Sequence, residues 1–127
     1  MDLDLLPDEL AVCRLGPTAP VPEWAWTGPV ASVTRTAAEL SIVCAAEAVP
    51  PTVTAAQPWR AMTVRGPLNF ELTGIAAALT QPLGEAGISV FLIATYDTDH
   101  VLVRAEALER AVSVLRGAGH RVHGGDG

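Results

Sequence analysis

Asp97 and Asp99, two residues apart in the polar stretch Thr95-Tyr96-Asp97-Thr98-Asp99-His100, are the first candidates for chemistry, because paired carboxylates serve as general acid and base. Two residues along an extended loop do not set the separation that such work demands. Ser32, Ser41, Ser89 and Ser113 have no histidine nearby in the sequence to activate them, and no G-x-S-x-G elbow is present. Cys13 and Cys44 lack the C-x-x-C spacing of a zinc or redox pair and read as small buried hydrophobes. His100, His120 and His123 form no cluster with them, so neither a metal site nor any other cofactor is expected. Aspartate favours turns by bonding its own backbone, so Asp97 and Asp99 also read as turn formers in a hairpin.

The elements that would position this turn are legible on both sides of it. Ile88 to Ala94 is a nearly continuous apolar run of strand length, which reads as a central strand covered on at least one face. Val101-Leu102-Val103 resumes a strand after the turn, and the short connection makes the two antiparallel. Upstream, Trp59 to Arg65 reads as a strand stopped by Gly66-Pro67. Leu72, Ile75, Ala76, Leu79, Leu83 and Ala86 then recur at helical spacing, with Pro82 expected to kink or break that helix before its last turn. Downstream, Leu108, Ala111, Val112 and Leu115 predict a second helix ended by Gly117 and Gly119, and His120-Arg121-Val122 a final strand. The order strand, helix, strand, strand, helix, strand is the split βαβ arrangement, two helices on one face of a four-stranded antiparallel sheet.

The first half is less regular. Glu9 to Leu15 reads as a strand, and the proline-rich Gly16 to Pro29 leaves room for a single helical turn at most. Val30 to Arg35 and Ser41 to Ala45 read as a strand pair, and Pro50-Pro51 as the start of a linker reaching Trp59. Thr36 to Val43 echoes Thr95 to Val103 in the order threonine, acidic residue, apolar strand, with one residue inserted, which suggests two related halves.

Composition narrows the class. Half of the 127 residues are hydrophobic and 17% are charged, so the chain can bury a core and a disordered reading fails. The net charge is −6 and all eight basic residues are arginines scattered singly, a pattern that argues against nucleic acid as a partner. Apolar runs fall short of the ~20 residues that span a bilayer. The acidic Met-Asp-Leu-Asp start is unlike a secretory signal, so a soluble, cytoplasmic protein without a membrane partner is expected.

Three separated motifs carry a resemblance: Glu39-Leu40-Ser41-Ile42-Val43, then Gly66-Pro67-Leu68-Asn69-Phe70 with Thr73-Gly74-Ile75, then Gly87-Ile88-Ser89-Val90-Phe91 followed by Thr95 to Asp99. In this order they resemble the bacterial tandem ACT-domain proteins, related to the ACT modules of cytosolic arginine sensors and aspartate kinase. The resemblance implies an α+β fold of two tandem ferredoxin-like (βαββαβ) halves, residues 1–58 helix-poor and 59–123 regular; residues 124–127 lie outside it and read as a disordered tail. It implies a regulatory protein rather than an enzyme, able to form a homodimer, that binds an amino acid or similar metabolite at the boundary between two modules. Thr95, Tyr96 and Asp99 match the ligand-contacting loop, while Ser41 and Ile42 would close the site as edge-strand residues, and Asn69 and Gly74 fall in the glycine turn. The alternative is a dimerisation or scaffold module without a ligand. The chain departs from the family pattern in carrying one pair of modules, the first lacking a recognisable first helix, which leaves arginine in doubt as the ligand.

Overall fold

The structure is a computed structural model that describes residues 1–66 and 74–124. In chain order its elements are β1 (Asp2–Leu5), β2 (Leu10–Leu15), β3 (Ser32–Arg35), β4 (Leu40–Ala45), β5 (Thr54–Val64), α1 (Ile75–Glu85), β6 (Val90–Ala94), β7 (Asp99–Arg104), α2 (Leu108–Gly117) and β8 (Arg121–His123). Single 3-10 turns occupy Glu23–Trp26, Ala46–Ala48 and Ala105–Ala107. The chain divides into two compact units, Met1–Leu6 with Arg60–Gly127, and Pro7–Trp59.

In the unit that holds most of the C-terminal half, the expected element order is present. β6 and β7 form an antiparallel hairpin, and β7 also pairs with β5. The sheet has one strand more than the sequence suggested. β1 lies between β5 and β8, antiparallel to the first, with Leu3 opposite Val64, and parallel to the second, with Leu3 opposite Val122. The signal for β1 was its Asp-Leu-Asp-Leu alternation, which puts both leucines on one face. Leu3 is fully buried there with Met62, Val64, Val101 and Val103 of the sheet, Leu79 and Leu83 of α1, and Ala111 and Leu115 of α2. Each such leucine contributes about 1.5–3 kcal/mol by leaving water.

Two readings need correction here. The helix α1 does not break at Pro82 but continues to Glu85. A proline at this position leaves the Ala78 carbonyl, four residues back, without its helical donor. His120 Nε2 stands 3.0 Å from that oxygen and supplies one, while its Nδ1 lies 3.1 Å from the Met1 ammonium, so Nε2 carries the proton. The apolar run Ile88–Ala94 is not a central strand either: among the described residues β6 pairs with β7 alone, and Leu92 is 36% exposed.

In the other unit the strand order is β3-β4-β2-β5, all antiparallel, with a register shift between Leu10 and Val12 where β2 meets β5. The stretch expected to be a linker from Pro50 is strand from Thr54, so β5 runs on through the 58/59 boundary. One face of β2 and β4 carries Ala11, Cys13, Leu40, Ile42 and Cys44, small enough side chains for the proline-rich segment to pack closely. Its single helical turn buries Ala25 there and leans Trp24 on the same cluster. That turn covers the sheet where a helix otherwise would.

Candidate functional site

The turn between β6 and β7 is built by its own threonines. Ala94 pairs with Asp99, and the four residues between them are closed by the Thr95 amide donating to the Thr98 carbonyl at 2.9 Å. Thr95 Oγ1 also donates to that carbonyl, at 2.8 Å, so its hydroxyl serves the turn itself. Thr98 Oγ1 donates to the Val64 carbonyl at 2.7 Å, which pins the turn to the end of β5. β5 ends at Val64, and α1 is entered at Gly74. Gly74 has φ 77°, a left-handed conformation that glycine adopts without strain, and among the described residues no side chain caps the first turn of α1.

Of the expected site residues, Thr95, Tyr96 and Asp99 lie on or beside this turn, and Gly74 opens α1 in the same unit. Tyr96 is 79% exposed, and Asp99 is half-buried as the first residue of β7. No hydrogen bond or ion pair holds the Asp99 carboxylate among the described residues. Asn69 lies outside them. Ser41 and Ile42 belong to the other unit, and the expectation that they are edge residues is overturned: β4 is flanked by β3 and β2, so its backbone groups are paired on both sides. Ile42 is fully buried in that unit's core.

Thr98 and His100 were not among the expected site residues. His100 Nδ1 lies 2.8 Å from Thr63 Oγ1 across to β5, and burial pushes the imidazole below its ordinary value, with Asp99 opposing. A histidine held neutral in this way stabilises the fold fully above its ordinary pKa of about 6.5, and the contribution is lost as pH falls below that toward the lower folded value. Chemical denaturation midpoints measured from about pH 7 to 5 should fall in the wild type, and fall less in His100→Gln; equal slopes would contradict this origin.

The echo between the halves is structural as well. Thr36 N donates to Glu39 O at 2.9 Å, closing the β3–β4 turn as Thr95 closes the β6–β7 turn. Each strand that follows ends in the same Ala-Glu-Ala 3-10 turn, at Ala46–Ala48 and Ala105–Ala107. The counterparts are 59 residues apart at both the threonine and the first alanine, so no residue is inserted within the repeat. In this register Leu40, fully buried, stands where the second copy has Asp99. Only the second turn carries a carboxylate at that position.

Thiol chemistry finds no footing. Burial, and secondarily Cys44 beside it, pushes the Cys13 thiol up to about 12, and burial likewise raises Cys44. Both are protonated at neutral pH. No group of three or more His, Cys, Asp or Glu side chains that could hold a metal ion exists among the described residues. No helix among them is long and apolar enough to cross a membrane.

Comparison with known proteins bears on the family and the fold. The ACT domain family model matches residues 54–117, and a second model, of an N-terminal domain, matches residues 8–52. A crystal structure of a protein from Agobacterium tumefaciens is 37% identical, with a TM-score of 0.90, over 96% of this chain and 91% of that one. The regulatory subunit of aspartate kinase from Thermus flavus shares the fold at 18% identity and a TM-score of 0.56, covering 92% of this chain and 95% of that one. The cytosolic arginine sensor for mTORC1 subunit 1 of Homo sapiens is 37% identical over 59 residues, 46% of this chain. That match spans only 18% of the sensor's length. With half of its length matched by the family model, this chain belongs to the ACT-domain family.

Proposed function

We propose that this protein is a non-enzymatic regulatory module of the cytoplasm that binds an amino acid, or a similarly small zwitterion, at the β6–β7 turn. The observation that carries the reading is the Asp99 carboxylate, half-buried on a turn pinned to β5 and without a partner among the described residues. A half-buried carboxylate of this kind gains from a charged donor, and a ligand ammonium provides one. The first turn of α1, entered at Gly74 and without a side-chain cap among the described residues, offers amide donors and a positive dipole end to the ligand carboxylate. Tyr96 stands at the rim of the same turn, and Asn69 precedes the helix start. The sequence similarity to a protein named as an arginine sensor supports a sensing role. Because Leu40 replaces the acid in the first copy, one ligand per chain is expected.

Titration calorimetry with each of the common amino acids tests the proposal. At least one should bind with a stoichiometry of one. Asp99→Asn should weaken it tenfold or more, as expected for losing a charged hydrogen bond of about 1.5–3 kcal/mol. A flat panel, or unchanged affinity in the variant, overturns the site. A second reading, a homodimerisation module without ligand, is favoured by β6 being paired on one side only among the described residues. A flat panel together with a concentration-dependent mass by light scattering selects it.

A further inference from the structure

We infer that a second binding site, separate from the β6–β7 turn, lies beside α2 and takes a linear dipeptide with an apolar side chain. A cavity of about 360 Å³ opens there. Leu5, Leu108 and Val112 supply its apolar lining, and Glu109, Ser113 and Arg116 its polar one. Leu5 pairs with Met62, whereas the ligand turn is tied to Val64, so the cavity sits further along β5 from that turn.

The polar groups are ordered by the helix. Glu109, Ser113 and Arg116 follow one another at spacings of four and three residues, which puts them on one face. Glu109 stands in the first turn and Arg116 in the last. At a rise of 1.5 Å per residue, seven residues separate them by about 10 Å along the axis. Arg116 is anchored at its end by Nη2 donating to the Val122 carbonyl at 2.8 Å. A ligand that uses both ends therefore needs an ammonium and a carboxylate held well apart.

An α-amino acid has its two charges on one carbon and cannot reach both ends. Two extended residues span about 7 Å, and the Glu109 side chain closes the remainder by leaning toward the anchored Arg116. The ammonium then meets Glu109, the carboxylate meets the Arg116 guanidinium, and the apolar side chain lies on Leu5, Leu108 and Val112. Ser113, midway, can bond the peptide group. The volume is at the small end of ligand pockets, as a dipeptide requires.

Calorimetry with leucyl-leucine on the full chain tests the inference, with free leucine and N-acetyl-leucyl-leucine amide as controls. Leucyl-leucine should bind, and the capped peptide should bind at least tenfold more weakly. Glu109→Gln and Arg116→Gln should each reduce affinity about tenfold. Ser113→Phe, at an exposed helix position, should fill the cavity and abolish binding while the thermal midpoint holds. Asp99→Asn should change nothing. No binding of the dipeptide, or equal binding of the capped form, overturns the inference, and an amino acid that binds through Asp99 in the same experiments leaves the first proposal standing. Dipeptide binding lost in Asp99→Asn but kept in Arg116→Gln places the peptide at the turn and overturns this site.

Discussion

Leu115→Ala should lower unfolding stability by about 2–5 kcal/mol, and Leu92→Ala, the same change of side chain, by less than about 1 kcal/mol. Leu115 is fully buried on α2 among the side chains of α1 and the sheet, where truncation leaves a cavity the packed neighbours cannot fill. Leu92 is 36% exposed on β6, where water fills the space. Urea denaturation gives both values, provided the slope with denaturant is unchanged between variants. Similar losses in the two variants would mean that β6 is covered after all, and would return it to the central position its composition suggests.

Gly28→Ala should be the most damaging single methyl in the Pro7–Trp59 unit, costing about 1–3 kcal/mol. Gly28 has φ 88°, and a Cβ there would sit 2.9 Å from the Ala45 backbone nitrogen and 3.2 Å from its Cα. Backbone at this point cannot step aside, since Ala45 N donates to Thr27 O and Ala45 pairs with Leu10 on β2. Gly16→Ala is the control, because a Cβ there meets nothing within 4 Å. It should leave stability unchanged or raise it slightly by restricting the unfolded chain. Thermal unfolding of both variants decides the matter, and a Gly28→Ala midpoint equal to the control's would show that this close approach is not needed.

Much of the candidate site was legible because its signals are local. The threonine, aspartates and flanking apolar runs of Thr95 to Val103 announced a hairpin, and the helical spacing from Ile75 and from Leu108 announced the helices that pack on it. The role of Thr95 was harder to see, since a hydroxyl that closes its own turn has the same sequence as one aimed at a ligand. Thr98 and His100 owe their interest to Val64 and Thr63, more than thirty residues away. Likewise, α1 tolerates Pro82 through His120, a partner that helical periodicity does not reveal.

The residues by themselves determined the type and order of the elements after Trp59 and the single-turn character of the proline-rich segment. Periodicity suffices for that, because it reports which face of an element is apolar. Tertiary structure alone decided that β4 is flanked on both sides while β6 is paired on one, that β1 enters the sheet between β5 and β8, and that Leu40 stands in the place of Asp99. Those outcomes depend on hydrogen bonds between strands far apart in the chain, and an apolar run looks the same whether one neighbour or two will bond to it.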